Sequence, residues 1–141
     1  MTPDVNILVA AFRADHPHYR PAKRLLDTGP GAQAPLALVP MVAAAFVRLV
    51  TSSRVFPDPA PVPSAAAFID ALLARPGTRW AAARDEWRTL RALCVEKRPG
   101  GNGVPDAWLA ATVIVLGEHL VTFDAGFRRL LPRRQLTVLA P

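Results

Sequence analysis

The sequence predicts an α/β fold built on a mainly parallel sheet. Short, nearly uncharged apolar runs at Val5–Phe12, Leu36–Val39 and His119–Phe123 have the continuous character of strands covered on both faces. Stretches with helical spacing separate them, and proline and glycine clusters mark the boundaries. The 141 residues form a single domain, 1–141, long enough to bury a core, with no internal repeat and no linker.

Taken in order, Val5–Phe12 reads as the first strand, with Asp4 at its mouth. Asp15-His16-Pro17 is a helix-start signal, and a short helix runs from His18 to Leu26, near the turn Gly29-Pro30-Gly31. Leu36–Val39 is the second strand, and Pro40 opens a helix through about Thr51. The proline-rich stretch Pro57–Pro63 is a loop. Ser64 caps a helix over Ala65–Ala74 that Pro76-Gly77 ends. Thr78–Ala82 is a short strand, and Asp85–Lys97 is a helix with Trp87, Leu90 and Cys94 on one face. After the flexible loop Pro99–Gly103, Pro105 starts a strongly apolar helix through Gly117. His119–Phe123 is a strand, Ala125–Leu131 a short helix and Gln135–Leu139 the last strand.

Hydrophobic residues make up 51% of the chain and charged residues 20%, which excludes a disordered chain. The longest apolar runs, Pro35–Val47 and Ala107–Gly117, fall short of the about 20 residues that span a bilayer, so no membrane partner is expected. An acidic N-terminus argues against a signal peptide. The single cysteine, Cys94, excludes an internal disulfide and reads as a buried, inert thiol. These features fit the reducing cytoplasm. The net charge is +6, and all but Lys23 and Lys97 of the 17 basic residues are arginine; this excess suits a polyanion, an acidic protein, or simply an arginine-rich composition.

With only 11 acidic residues, each position can be weighed. Asp4 adjoins an apolar run with no basic residue before Arg13, and a carboxylate removed from water needs a partner, a metal or a proton. Asp106 lies in the first turn of the apolar helix, where an acid complements the helix dipole by roughly 0.3–1 kcal/mol. Asp124 follows a strand and suits the N-cap of the next short helix. Each position has an ordinary structural role, and Glu118 reads as solvated surface. Together, Asp4, Asp106 and Asp124 can reach one edge of a parallel sheet, and their hard oxygens suit Mg²⁺ or Mn²⁺.

Four blocks in order then carry a resemblance to a known family. They are Pro3-Asp4-Val5-Asn6-Ile7-Leu8-Val9 with Asp15-His16-Pro17-His18, Phe46–Thr51 with Arg54-Val55-Phe56, Asn102–Ala107 with Leu109-Ala110-Ala111, and Thr122–Phe127. Over essentially its whole length the chain resembles the PIN-domain ribonucleases, in particular the VapC-type toxins of bacterial toxin–antitoxin pairs. The resemblance implies a PIN-like three-layer sandwich with a central, mainly parallel sheet. It also implies metal-dependent cleavage of RNA, a cognate antitoxin protein and a homodimer. By position, Asp4, Asp106 and Asp124 become the metal-site acids and Asn6, Thr122 and Asn102 their supports, with Asn6 on the same strand face as Asp4.

The chain departs from the family in one place. PIN domains usually carry a further acid on the helix after the second strand, and here no carboxylate lies between Asp27 and Asp58. Ala45 is the expected equivalent, with Ala43 and Ala44 as the neighbouring registers. Fewer acids weaken metal binding, so three explanations stand side by side: a subfamily that works with three acids, a natural loss of activity, or a deliberate substitution that disarms a toxic nuclease. A silent PIN domain that binds RNA or protein is the alternative function.

Arg48 and Arg54 are candidates for RNA phosphate contacts. Arg84, Arg88 and Arg91 form a stripe, and Arg128, Arg129, Arg133 and Arg134 a cluster; solvated surface is the simpler reading of both. Trp80, Trp87 and Trp108 read as core, and His16 and His18 as scaffold. Gly100–Gly103 lacks the Lys-Ser/Thr ending of a phosphate-binding loop, which excludes an NTPase. A receiver-like signalling domain fits poorly, because neither lysine sits at a late strand end.

Overall fold

A computed structural model describes residues 1–28 and 35–140. The expected turn at Gly29-Pro30-Gly31 lies outside the described residues.

Among the described residues, all strand pairings are parallel. β1 (Thr2–Pro3) pairs with β4 (Leu120–Thr122), and β4 pairs with β5 (Leu136–Val138). β2 (Ala37–Leu38) pairs with β3 (Arg79–Trp80). The Ala37 N–H donates to the Met1 carbonyl at 2.8 Å and joins the two sets. The order across the sheet is therefore β3-β2-β1-β4-β5, with β1 and β4 central. Helices flank this sheet, giving the expected three-layer α/β sandwich.

The first predicted strand is a helix. Val5–Phe12 forms α1, and the strand before it is only Thr2–Pro3. An unbroken apolar run fits a buried strand or a buried helix equally well, and periodicity cannot separate them. Here α1 packs against α2 (Tyr19–Thr28) and α3 (Pro40–Val50), so Ile7 through Ala11 are all buried. Asp4 is the N-cap of α1 and is itself buried, with 5% of its surface exposed.

Other boundaries move for local reasons. α4 spans Val62–Leu73 with Pro61 at its N-cap, so Ser64 lies inside the helix and does not cap it. α5 spans Trp87–Lys97, because Asp85 takes a left-handed φ of 67° that a helix cannot contain. Its buried residue is Leu93, flanked by half-buried Leu90 and Cys94, while Trp87 is 64% exposed and not on the buried face. Cys94 is therefore less enclosed than expected. Trp80 and Trp108 are also exposed, and the Trp108 indole N–H reaches Glu86 at 3.2 Å. Gly101–Gly103 is a 3-10 turn and not a loose loop; it leads into α6 (Val104–Leu116), which Gly117 ends in the left-handed conformation. Glu118 is no solvated acid: it is half-buried between the Met1 amino group and Arg79.

The core is continuous from β1 and β4 through α1, α3 and α6. Phe46 is fully buried, edge-on to Phe12 with ring centres 5.4 Å apart and tilted on Phe68 at 5.1 Å. Among the described residues, no helix is long and apolar enough to cross a membrane.

Candidate metal centre

The chain leaves β1 and β4 side by side in parallel, so the residues after both strands emerge at one sheet edge. Asp4 follows β1, while Thr122 ends β4 and is followed by Phe123 and Asp124. The Asp4 N–H donates to the Val121 carbonyl at 2.9 Å and extends the ladder to this edge.

A hydrogen-bonded network ties the two strand ends together. One Asp4 oxygen, Oδ1, accepts the Val5 N–H at 2.6 Å. The other, Oδ2, accepts the Thr122 hydroxyl at 2.6 Å and the Asn6 amide at 2.8 Å. The Asn6 amide also lies 2.9 Å from the Thr122 hydroxyl oxygen, and its carbonyl accepts the Phe123 N–H at 3.3 Å. Thr122 Oγ1 in turn accepts the Asp124 N–H at 2.9 Å. Asp124 Oδ1 accepts the Gly126 N–H at 2.7 Å and caps the 3-10 turn Ala125–Arg129. Asn6 reaches Asp4 from the first turn of α1, not along a strand face.

The electrostatics are those of a crowded acidic site. Burial pushes the Asp4 carboxyl up from its ordinary value of 3.8 to about 6, against the lowering effect of the Thr122 and Val5 hydrogen bonds, and the charges of Asp106 and Asp124 push it further up. Asp106 is also raised, by partial burial and then by the charge of Asp124. The three carboxylates thus lie within one another's field. Among the described residues, none of them has a salt-bridge partner.

The donors are carboxylate oxygens that repel one another and lack a cation, which suits a hard divalent ion chemically. Among the described residues, no three acidic, imidazole or thiol groups converge to enclose an ion by themselves. Mg²⁺ ordinarily keeps several waters and takes one or two carboxylates directly, so the donor set fits an ion held partly through water.

The remaining candidates fall in different places. Asn102 is exposed in its 3-10 turn and makes no hydrogen bond to the acids. Arg48 lies in the last turn of α3. Arg54 lies in the turn leading to Phe56, over whose ring Arg13 sits at 4.3 Å, just past the C-terminal end of α1. Arg54 is thus at the far end of α1 from Asp4. The cations beside the acids are others: Asp106 lines a cavity of about 510 Å³ with Lys97, Arg98 and Arg129. Lys97 and Arg98 carried no motif that could mark them in sequence. The His18 ring stacks on Phe123 with centres 4.6 Å apart, which fixes a residue between Thr122 and Asp124.

Comparison with known proteins agrees with this architecture. The PIN domain family model matches residues 1–130. Ribonuclease VapC31 of Mycobacterium tuberculosis is 36% identical over 142 residues, covering 94% of each chain. Ribonuclease VapC25 of the same species is 34% identical over 140 residues, with the same coverage. The VapC ribonuclease Mb2897 of Mycobacterium bovis is 36% identical over 127 residues, covering 89% of this chain and 86% of its own. The fold also superposes on a chain of the crystal structure of VapBC2 from Rickettsia felis bound to a DNA fragment from their promoter. The TM-score there is 0.63 at 19% identity, over 97% of this chain and 96% of that one.

Proposed function

The chain belongs to the PIN-domain family, and on that premise we propose that it is a VapC-type endoribonuclease toxin whose divalent cation is held by Asp4, Asp106 and Asp124. The observation that carries the site assignment is the fixed, buried Asp4, whose charge has no cationic partner among the described residues and is opposed by two other carboxylates. Mg²⁺ or Mn²⁺ is the ion that this donor chemistry suits.

When bound, such an ion supplies Lewis acidity and lowers the pKa of a coordinated water. The chain's own groups prepare the place. Thr122 and Asn6 occupy both lone-pair directions of Asp4 Oδ2, so Oδ1, with one bond from Val5, keeps a lone pair for a ligand. Gly126 holds Asp124 Oδ1, while Oδ2 and the Asp106 carboxylate have no hydrogen bond among the described residues. These free oxygens, from two strand ends and one helix start, would hold the ion partly through water.

The family's further acid has its place on α3. Of the three alanines, Ala43 is buried one turn before Phe46, the residue that meets Phe12 of α1. Ala44 is exposed and Ala45 half-buried. The half-buried Ala45 keeps the position expected from sequence, with Ala43 and Ala44 as the neighbouring registers.

A cognate antitoxin and a second copy of the chain are the partners this reading brings, with the cytoplasm as the place of action. The exposed Ala44 on α3 and Ala66, Ala67 and Ala71 on α4 offer low-relief apolar surface for either.

The test is cleavage of labelled RNA with Mn²⁺ by the natural chain, Asp4→Asn, Ala43→Glu and Ala45→Glu. The natural chain is expected to cut, EDTA and Asp4→Asn to abolish cutting, and Ala45→Glu to raise activity, with Ala43→Glu as the neighbouring-register comparison. No metal-dependent cleavage by any of the four would overturn the nuclease reading. Activity only with an added glutamate would identify a silenced enzyme.

A further inference from the structure

The cavity beside Asp106 is chemically the opposite of the carboxylate cluster. Its volume is about 510 Å³, and its walls include Lys97, Arg98, Arg129, Pro99 and Leu130 as well as Asp106 itself. Lys97 is paired with the adjacent Glu96. Arg98 and Arg129 have no carboxylate partner among the described residues.

Both arginines are held by backbone devices. Arg98 caps the C-terminus of α5 in the left-handed conformation, φ 46° and ψ 57°, and its N–H bonds to the Cys94 carbonyl. Glycine is the usual residue at such a cap, so an arginine there is kept at a conformational cost. Arg129 ends the 3-10 turn that Asp124 caps, so its position is coupled to a site carboxylate. α6 also starts at this cavity; Gly103, its N-cap, supplies no side-chain cap, and the first-turn N–H groups add positive potential.

We propose that this cavity is a backbone-phosphate subsite for the RNA strand, in which Arg98 and Arg129 each contact a phosphate next to the one presented to Asp4, Asp106 and Asp124. This rests on the nuclease reading above. An acidic cluster repels a polyanion, and unpaired guanidinium groups at its rim offset that repulsion where the strand must pass. Guanidinium forks match phosphate oxygens in shape and charge. With Arg98 and Arg129 engaged on phosphate oxygens, the subsite positions the strand, and phosphate contacts carry no sequence information.

The experiment measures binding of a fluorescein-labelled, mixed-sequence single-stranded RNA of twelve nucleotides against salt concentration. It compares the natural chain, Arg98→Gly, Arg129→Ala, the double variant and Arg24→Ala, a charge-loss control on α2 outside the cavity. Arg98→Gly suits the left-handed cap and keeps the fold. The slope of log affinity against log salt should fall by about 0.7 for each cavity arginine removed and stay unchanged in the control. In cleavage assays, KM should rise about tenfold in the double variant with kcat within about twofold, and stabilisation by Mn²⁺ should not change. If the natural chain cuts RNA and the double variant keeps its salt slope and KM, the subsite is overturned and the nuclease reading stands. If the slope falls as expected but neither the natural chain nor the glutamate variants ever cut, the subsite stands and the nuclease reading fails.

Discussion

Asp4 shows how one carboxylate can accept three hydrogen bonds and still lack a charge partner among the described residues. Its raised pKa makes a signed statement about stability. Between its ordinary value of 3.8 and about 6, the folded chain binds a proton at Asp4 that the unfolded chain releases. In EDTA, the stability Asp4 contributes is therefore full below about pH 4 and is lost as pH rises through about 6. The loss is about 3 kcal/mol. Urea unfolding of the natural chain and Asp4→Asn from pH 4 to 7.5 should show their stability difference changing by about that amount across this window. Thr122 is the hub beside it, donating to Asp4 and accepting from the Asp124 N–H. Thr122→Val keeps the shape, removes one of the two bonds to Asp4 Oδ2 and leaves the Asp124 N–H without its acceptor, and should cost about 1–3 kcal/mol by denaturant titration while cutting cleavage sharply. At Gly126, an added Cβ would meet Asp124 Oδ1 at 2.9 Å. Gly126→Ala should therefore displace that carboxylate and lower kcat with little loss of stability.

At the scale of the element, α1 is the instructive case. Its eight residues are apolar enough for a buried strand, and the helix is chosen by its surroundings: Asp4 caps it, and α2, α3 and the sheet cover it on several sides. The consequence for the site is direct. As a strand, Asp4 and Asn6 would share a face two residues apart; as a helix, Asp4 sits at the cap and Asn6 folds back onto it from the first turn. Phe46 holds α3 against α1. Phe46→Ala should cost about 3–5 kcal/mol in denaturant titration and loosen the N-terminal half of the site. Helix ends marked by glycine were legible in sequence because glycine alone enters the left-handed region cheaply. Gly117, at φ 65°, closes α6 within a residue of its expected end, and Gly117→Ala should cost about 1–2 kcal/mol.

For the whole molecule, the parallel order β3-β2-β1-β4-β5 puts β1 next to β4, which brings together residues more than a hundred positions apart. Adding Mn²⁺ should raise the melting temperature more at pH 7.5, where Asp4 is ionised, than at pH 5, and Asp4→Asn should abolish that difference; differential scanning fluorimetry reads it. The alternation of apolar runs with helical spacing, and the proline and glycine punctuation, were enough by themselves to determine the α/β class and most element positions, because burial and backbone freedom are encoded locally; the three aspartates stood out as candidates because acids are few. Whether Val5–Phe12 was strand or helix, which face of α3 carries Ala43, and which arginines stand near the acids were decided only by tertiary packing. Arg48 and Arg54 had the motif, yet Arg54 lies past the far end of α1, while Lys97 and Arg98 had none and line the cavity with Asp106. Sequence spacing encodes what a residue's own segment does; which segments meet depends on the strand order and on what covers each helix.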